Sequence, residues 1–216
     1  MQHCAINKHD CTIPRKLQNV HFVNHIFNPD TGKKESIDSL RAGPTKIVWD
    51  MALSNEWGRL SQGNNYGVSS TDTIEFIHQH DVPAGSAVTY ASFVCDYRPL
   101  KEEKWRVRIV VGGDKLTYTE DAASPAASLL ETKIILNSVI SDADRGARFL
   151  TADVKDFFLA TPMEKPEFMK VLIKHFPPDI INQYELNTKV YNGFVYIKIK
   201  KGMYGLKQAA ILTYAN

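Results

Sequence analysis

Residues 149–163 read FLTADVKDFFLATPM, and Asp153 interrupts an otherwise apolar run. In a strand over 149–154, Phe149, Thr151 and Asp153 share one face while Leu150, Ala152 and Val154 share the other. A carboxylate is disfavoured in a strand and costly to bury unpaired, so this placement points to a strand end opening onto solvent or onto a site. Two readings of Asp153 stay open on these residues alone: a solvated strand end or helix cap, and a metal ligand or base.

Two other groups carry charge in a pattern. In EKWRVRIVVGG, residues 103–113, strand alternation puts Lys104, Arg106 and Arg108 on one face and Trp105, Val107 and Ile109 on the other. Such a stripe suits phosphate, with arginine offering bidentate geometry, and it equally suits an edge strand that basic residues protect from aggregation. Gly112-Gly113 is too short for a phosphate-binding fingerprint and reads as a turn. After Glu185 there is no acidic residue, while Lys189, Lys198, Lys200, Lys201 and Lys207 are interleaved with Tyr191, Phe194, Tyr196 and Tyr204. That mixture fits a surface that takes backbone phosphates and stacks bases, or a hairpin with one solvated lysine face. No His/Cys/Asp cluster has metal spacing and no Ser-His-Asp grouping stands out, so hydrolase chemistry is not indicated.

The elements that must position these groups can be read from period and turn chemistry. Residues 1–43 show no sustained period and contain the turn-rich NPDTGKK at 28–34, which predicts a loosely ordered arm or linker. A helix is predicted over 44–62, opened by Pro44, with Ile47, Val48, Met51 and Ala52 on one stripe and Gly63 beyond its end. Short β runs at 73–78, 88–96 and 105–111 predict a small antiparallel sheet. Ser128 and Glu131 form a capping box for a helix over 128–141 whose Leu130, Ile134, Ile135 and Val139 line one face for packing on the strand 149–154. Asn192-Gly193 between alternating runs predicts a hairpin tip, and KQAAILTYAN begins a further helix. The fold class is α+β.

Composition bounds the function. At 216 residues, 44% hydrophobic and 23% charged with a net charge of +2, the chain is an ordinary globular one rather than a polycation that coats nucleic acid. Cys4, Cys11 and Cys95 form no C-x-x-C pair and read as reduced thiols of an intracellular protein. No run approaches the roughly 18 apolar residues of a membrane span, and MQHCAINKHDCTIPRK lacks a signal core, so no membrane partner is expected.

Three separated motifs, in order, resemble one family. RFLTADVKDFFLATPM resembles the strand and turn bearing the first catalytic aspartate of copia-type retrotransposon reverse transcriptases, and IKKGMYGLKQAA resembles their LYGLKQ segment. KWRVRIVVGG resembles their basic fingers strand, and the likeness spans roughly residues 44–216. The resemblance implies an RNA-directed DNA polymerase domain over 44–216, its fingers and the first half of its palm, with a mixed or antiparallel sheet and packed helices. It also implies Mg²⁺ (or Mn²⁺) held by the Asp153 carboxylate and the Val154 carbonyl, since two such ions stabilise phosphoryl transfer. Phe158 would be the gate against a ribose 2′-hydroxyl. Lys104, Arg106 and Arg108 would meet the incoming triphosphate, and Gly205, Lys207 and Gln208 would lie against nucleotide and template. The partners implied are an RNA or DNA template–primer, deoxynucleoside triphosphates and the rest of a Pol polyprotein, in the cytoplasm (a virus-like particle) or the nucleus.

The chain departs from the family at Phe157, where a small residue is usual, and at Ala210, where proline is usual. The family's second acidic motif would fall beyond Asn216, so a truncated polymerase, inactive alone, is expected. The alternatives are a non-catalytic nucleic-acid-binding module and an inert relic of a retroelement.

Overall fold

The computed structural model describes residues 34–118, 128–150 and 156–215, together with positions 26 and 32, the side chains of 213–215 excepted. Helix α1, Ile37–Ala42, opens on a capping box in which Ser36 and Ser39 each satisfy the other's backbone amide, and it buries Ile37. It lies within the stretch read as an arm. Arg41 then pairs with Asp50 at 2.6 Å, tying α1 to α2, Lys46–Leu60.

Helix α2 buries Trp49, Ala52, Leu53, Glu56, Trp57 and Leu60. Of the predicted stripe of Ile47, Val48, Met51 and Ala52 only Ala52 lies in the core: Ile47 is 81% exposed and Met51 is exposed too. The aliphatic residues suggested one stripe, but the tryptophans supply more apolar area and turn the helix about its axis to bury it. Trp57 stacks on Phe176 at 4.4 Å, approaches Phe76 at 6.0 Å and donates its indole N–H to the His175 carbonyl at 3.2 Å. Trp49 meets Trp105 edge-on at 5.3 Å.

Five strands form one mixed sheet in the order β1-β5-β4-β2-β3. They are β1, Ile74–Ile77; β2, Val88–Tyr97; β3, Trp105–Val111; β4, Pro162–Leu172; and β5, Phe194–Lys201. The first three β runs stand where their sequence places them, but not as a small antiparallel sheet of their own. β2 pairs antiparallel with β3, whereas β1 pairs with β5, and β2 runs parallel to β4. β4 has no counterpart in the sequence reading: Pro162 and Pro166 disguise it, and a register shift between Pro162 and Glu167 absorbs them inside an interior strand.

The Asn192-Gly193 tip is present, with φ of 49° and 80° and reciprocal hydrogen bonds between Tyr191 and Phe194 of 2.9 and 3.0 Å. Its leading arm is a helix rather than a strand. Helices α4, Pro178–Gln183, and α5, Leu186–Lys189, carry the chain from β4 to the turn, and β5 finds its partners in β4 and β1.

Helix α3, Leu129–Ser141, has the predicted capping box, but it buries no residue. Leu130, Ile134 and Ile135 are exposed, so the expected packing of this helix on the sheet is not found among the described residues. Phe149 and Leu150 lie outside any strand, and 151–155, the rest of the predicted strand 149–154, fall outside the described residues. Helix α6, Ala209–Ala215, forms where KQAAILTYAN predicts one. Among the described residues no helix is long and apolar enough to cross a membrane.

Candidate nucleic-acid interface

The two faces of the sheet differ in chemistry. One face packs on α2 with Phe76, Val107, Ile109, Met169, Val171, Val195, Ile197 and Ile199, all in one core cluster. The register then dictates the other face, because residues paired across neighbouring strands point the same way. Glu75 pairs with Lys198 and Lys198 with Phe168; Ile77 pairs with Tyr196 and Tyr196 with Lys170; Leu172 pairs with Phe194. On the far side of β4, Tyr90 stands beside Lys170, and Val94 and Asp96 stand beside Arg108 and Arg106. Cations thus alternate with aromatic rings on this face, and Lys170 Nζ lies 4.9 Å from the centroid of the Phe194 ring.

The five lysines after Glu185 are not five equivalent charges. Lys189 donates to the Phe76 carbonyl at 3.0 Å and Lys201 to the Thr71 carbonyl at 2.6 Å. Lys200 bonds Asp72 at 2.7 Å, and with Gln62 it holds that carboxyl below the usual aspartate range. Among the described residues Lys198 and Lys207 have no hydrogen-bond or ion-pair partner, so their charge faces outward.

Gly205, Lys207, Gln208 and Phe158 gather at one end of β3. The Val111 amide donates to the Tyr204 carbonyl at 2.7 Å, and Phe158, in a 3₁₀ turn over Phe158–Ala160, meets the Tyr204 ring edge-on at 6.0 Å. The backbones approach so closely that a Cβ on Gly113 would strike the Gly205 carbonyl, and one on Gly205 would strike the Val111 carbonyl. Lys207 is exposed, while Gln208 is buried and donates to Glu167 at 3.2 Å. Burial pushes the Glu167 carboxyl above its ordinary range, and the Gln208 bond partly opposes this.

Arg106 and Arg108 lie further back along β3, half-buried on the cation-bearing face. Lys104, one residue before the strand, is exposed, and its carbonyl accepts from the Arg98 amide at 2.7 Å. Asp153 and Val154 lie outside the described residues. Among those described, no three His, Cys, Asp or Glu side chains come together to hold a metal. Cys95 is buried, which pushes its thiol up to about 12 and leaves it protonated.

Sequence reasoning missed Tyr90, Lys170, Glu167 and Glu56. Tyr90 and Lys170 become neighbours only through a parallel pairing that no local pattern announces. Glu56 had a signal, since it sits between Ala52 and Leu60 on the buried stripe of α2, a charge where the period demands an apolar residue. The chain matches no family model, no curated protein and no solved structure.

Proposed function

We propose that the chain is the nucleotide- and template-handling part of a copia-type RNA-directed DNA polymerase, the intact enzyme using two Mg²⁺ ions and Asp153, with Val154, as first ligands. The observation that carries the nucleic-acid reading is the sheet face on which Arg106, Arg108, Lys170 and Lys198 alternate with Tyr90, Phe194 and Tyr196. Cations spaced among rings suit a single strand, whose phosphates want charge and whose bases want a flat apolar surface. The meeting of Phe158, Gly205 and Lys207 at the end of β3 supports the polymerase reading, because it brings two of the motifs that resemble that family's into one place. In this reading the partners are template–primer, deoxynucleoside triphosphates and the remainder of a Pol polyprotein, and the setting is a cytoplasmic virus-like particle or the nucleus.

A non-catalytic binding module is the second reading, favoured by the same face, which needs no metal. The experiment is titration of the 216-residue chain with fluorescent single-stranded RNA and with template–primer over a range of salt, beside primer extension with Mg²⁺ or Mn²⁺. Binding should weaken with salt, and Lys198→Ala or Arg108→Ala should each flatten the logarithmic slope by about 0.7. Extension should be absent with these 216 residues alone, which carry Asp153 without a downstream acidic pair. Salt-insensitive or absent binding would overturn the nucleic-acid reading, and extension abolished by Asp153→Asn would show a complete polymerase site.

A further inference from the structure

Tyr90 and Gly112 stand opposite each other where the β2–β3 register continues one pair beyond Ala91 and Val111, and the Gly112 amide donates to the Tyr90 carbonyl at 2.8 Å. The Gly112 carbonyl accepts from the Thr89 hydroxyl at 2.5 Å, so both backbone groups of this glycine are fixed. Its missing side chain leaves a space that the Tyr90 ring fills: a Cβ on Gly112 would stand 2.5 Å from Cε1 and 2.6 Å from Cζ of that ring. The Tyr90 hydroxyl donates to Asp114 at 2.8 Å, just past the end of β3, which ties down the far end of the ring. Tyr90 is nevertheless 43% exposed. A ring held in this way has little conformational freedom left to lose when a flat partner settles on it.

The register also gives Tyr90 its neighbours. Tyr196 pairs with Lys170 and Lys170 with Tyr90, across β5, β4 and β2, so the two tyrosine backbones stand about 10 Å apart with one cation between them. Among the described residues Lys170 has no carboxylate partner, and its ammonium lies over the Phe194 ring. Lines that run along the strands are less suited to a phosphate chain. On β5, Lys198 stands beside Glu75 and Lys200 is bound by Asp72, and on β2 Tyr90 is followed on this face by Ser92, Val94 and Asp96.

We propose that a single-stranded nucleic acid crosses the sheet along the row Tyr196, Lys170 and Tyr90, with a base stacked on the Tyr90 ring and the adjoining phosphate at Lys170. This rests on the reading of the face as a nucleic-acid surface, and adds to it a path and a stacking residue. Every base has a flat apolar face, so the stacking is independent of sequence, while the phosphate contact carries the salt dependence.

The test separates base from phosphate. The 216-residue chain is titrated over a range of salt with fluorescent single-stranded RNA and with an abasic strand of equal length, as the unmodified protein and as Tyr90→Ala, Tyr90→Phe and Lys170→Ala, with thermal melting as the check of folding. Tyr90→Ala should weaken the RNA about tenfold, leave its salt slope unchanged and leave the abasic strand unaffected. Tyr90→Phe, which keeps the ring, should stay within about twofold of the unmodified chain. Lys170→Ala should flatten the slope by about 0.7 for both strands. Should Tyr90→Ala fail to fold, Tyr90→Leu covers Gly112 without a flat ring and should lose RNA affinity likewise. Salt-dependent binding by the unmodified chain that folded Tyr90 variants lose equally on both strands, or do not lose at all, overturns the stacking role alone, and an unchanged slope in Lys170→Ala overturns the path. Absent or salt-insensitive binding by the unmodified chain overturns both together with the reading they rest on.

Discussion

The Val111 amide gives its hydrogen bond to the Tyr204 carbonyl at 2.7 Å, so the Tyr204–Gln208 box closes over the end of the strand that carries Arg106 and Arg108. Almost a hundred residues of sequence separate the two partners. That one contact converts two distant motifs into neighbours.

The closure depends on glycine. Gly205 has φ of +93°, and a Cβ there would meet the Val111 carbonyl, whereas Gly193 has φ of +80° with nothing within 4 Å. Gly205→Ala should cost about 2–5 kcal/mol, from left-handed strain plus overpacking against rigid backbone, and Gly193→Ala about 1–2 kcal/mol from strain alone. Urea unfolding of the two variants checks the difference, and equal costs would mean that the backbones do not touch.

Trp57 is the centre of the core and Ile47 lies off it. Trp57→Ala removes a fully buried ring stacked on Phe176 and should cost about 3–5 kcal/mol. Ile47→Ala, at a position 81% exposed, should stay within about 0.5 kcal/mol. Denaturant midpoints decide this, and the reverse order would restore the aliphatic stripe as the core face.

Ser128 caps α3 by accepting from the Glu131 amide at 3.1 Å, while Glu131 accepts from the Ser128 amide at 2.6 Å. Because α3 buries nothing among the described residues, losing its cap should be a local event. Ser128→Ala should speed amide exchange across 129–141 by a factor corresponding to about 1 kcal/mol and leave the global melt in place. A matching fall in global stability would mean that the helix packs on the core.

His175 lies under α1, bonded to Asp38 at 3.2 Å, and burial lowers its proton affinity below the ordinary value near 6.5 despite that carboxylate. Lys174 and Arg41 push in the same direction as burial. A histidine with a lowered folded value binds its proton more readily in the unfolded chain, so stability rises with pH through the window below about 6.5 and is lost as pH falls through it. Urea midpoints between pH 7.5 and 5 should decline for the unmodified chain and decline less for His175→Asn. Asp38, held low chiefly by its bond to Lys174, adds its own loss only in stronger acid.

Local chemistry is what the sequence determined by itself. The capping box at Ser128, the φ-positive turn at Asn192-Gly193 and the alternation in 88–96 and 105–111 depend on residues within a few positions of one another, and each appears where its pattern places it. The sequence motifs suggested a site, and the tertiary structure brought Phe158, Gly205 and Lys207 together at the end of β3. Strand order was decided only in three dimensions: β1 lies against β5, and β4, hidden by Pro162 and Pro166, runs between β5 and β2. Pairing of that kind is non-local, set by how much apolar surface the assembled sheet buries against α2. The same competition chose the tryptophan face of α2 over the aliphatic one and drew the charged Glu56 inside, where Arg59 of the same helix stands 3.7 Å away.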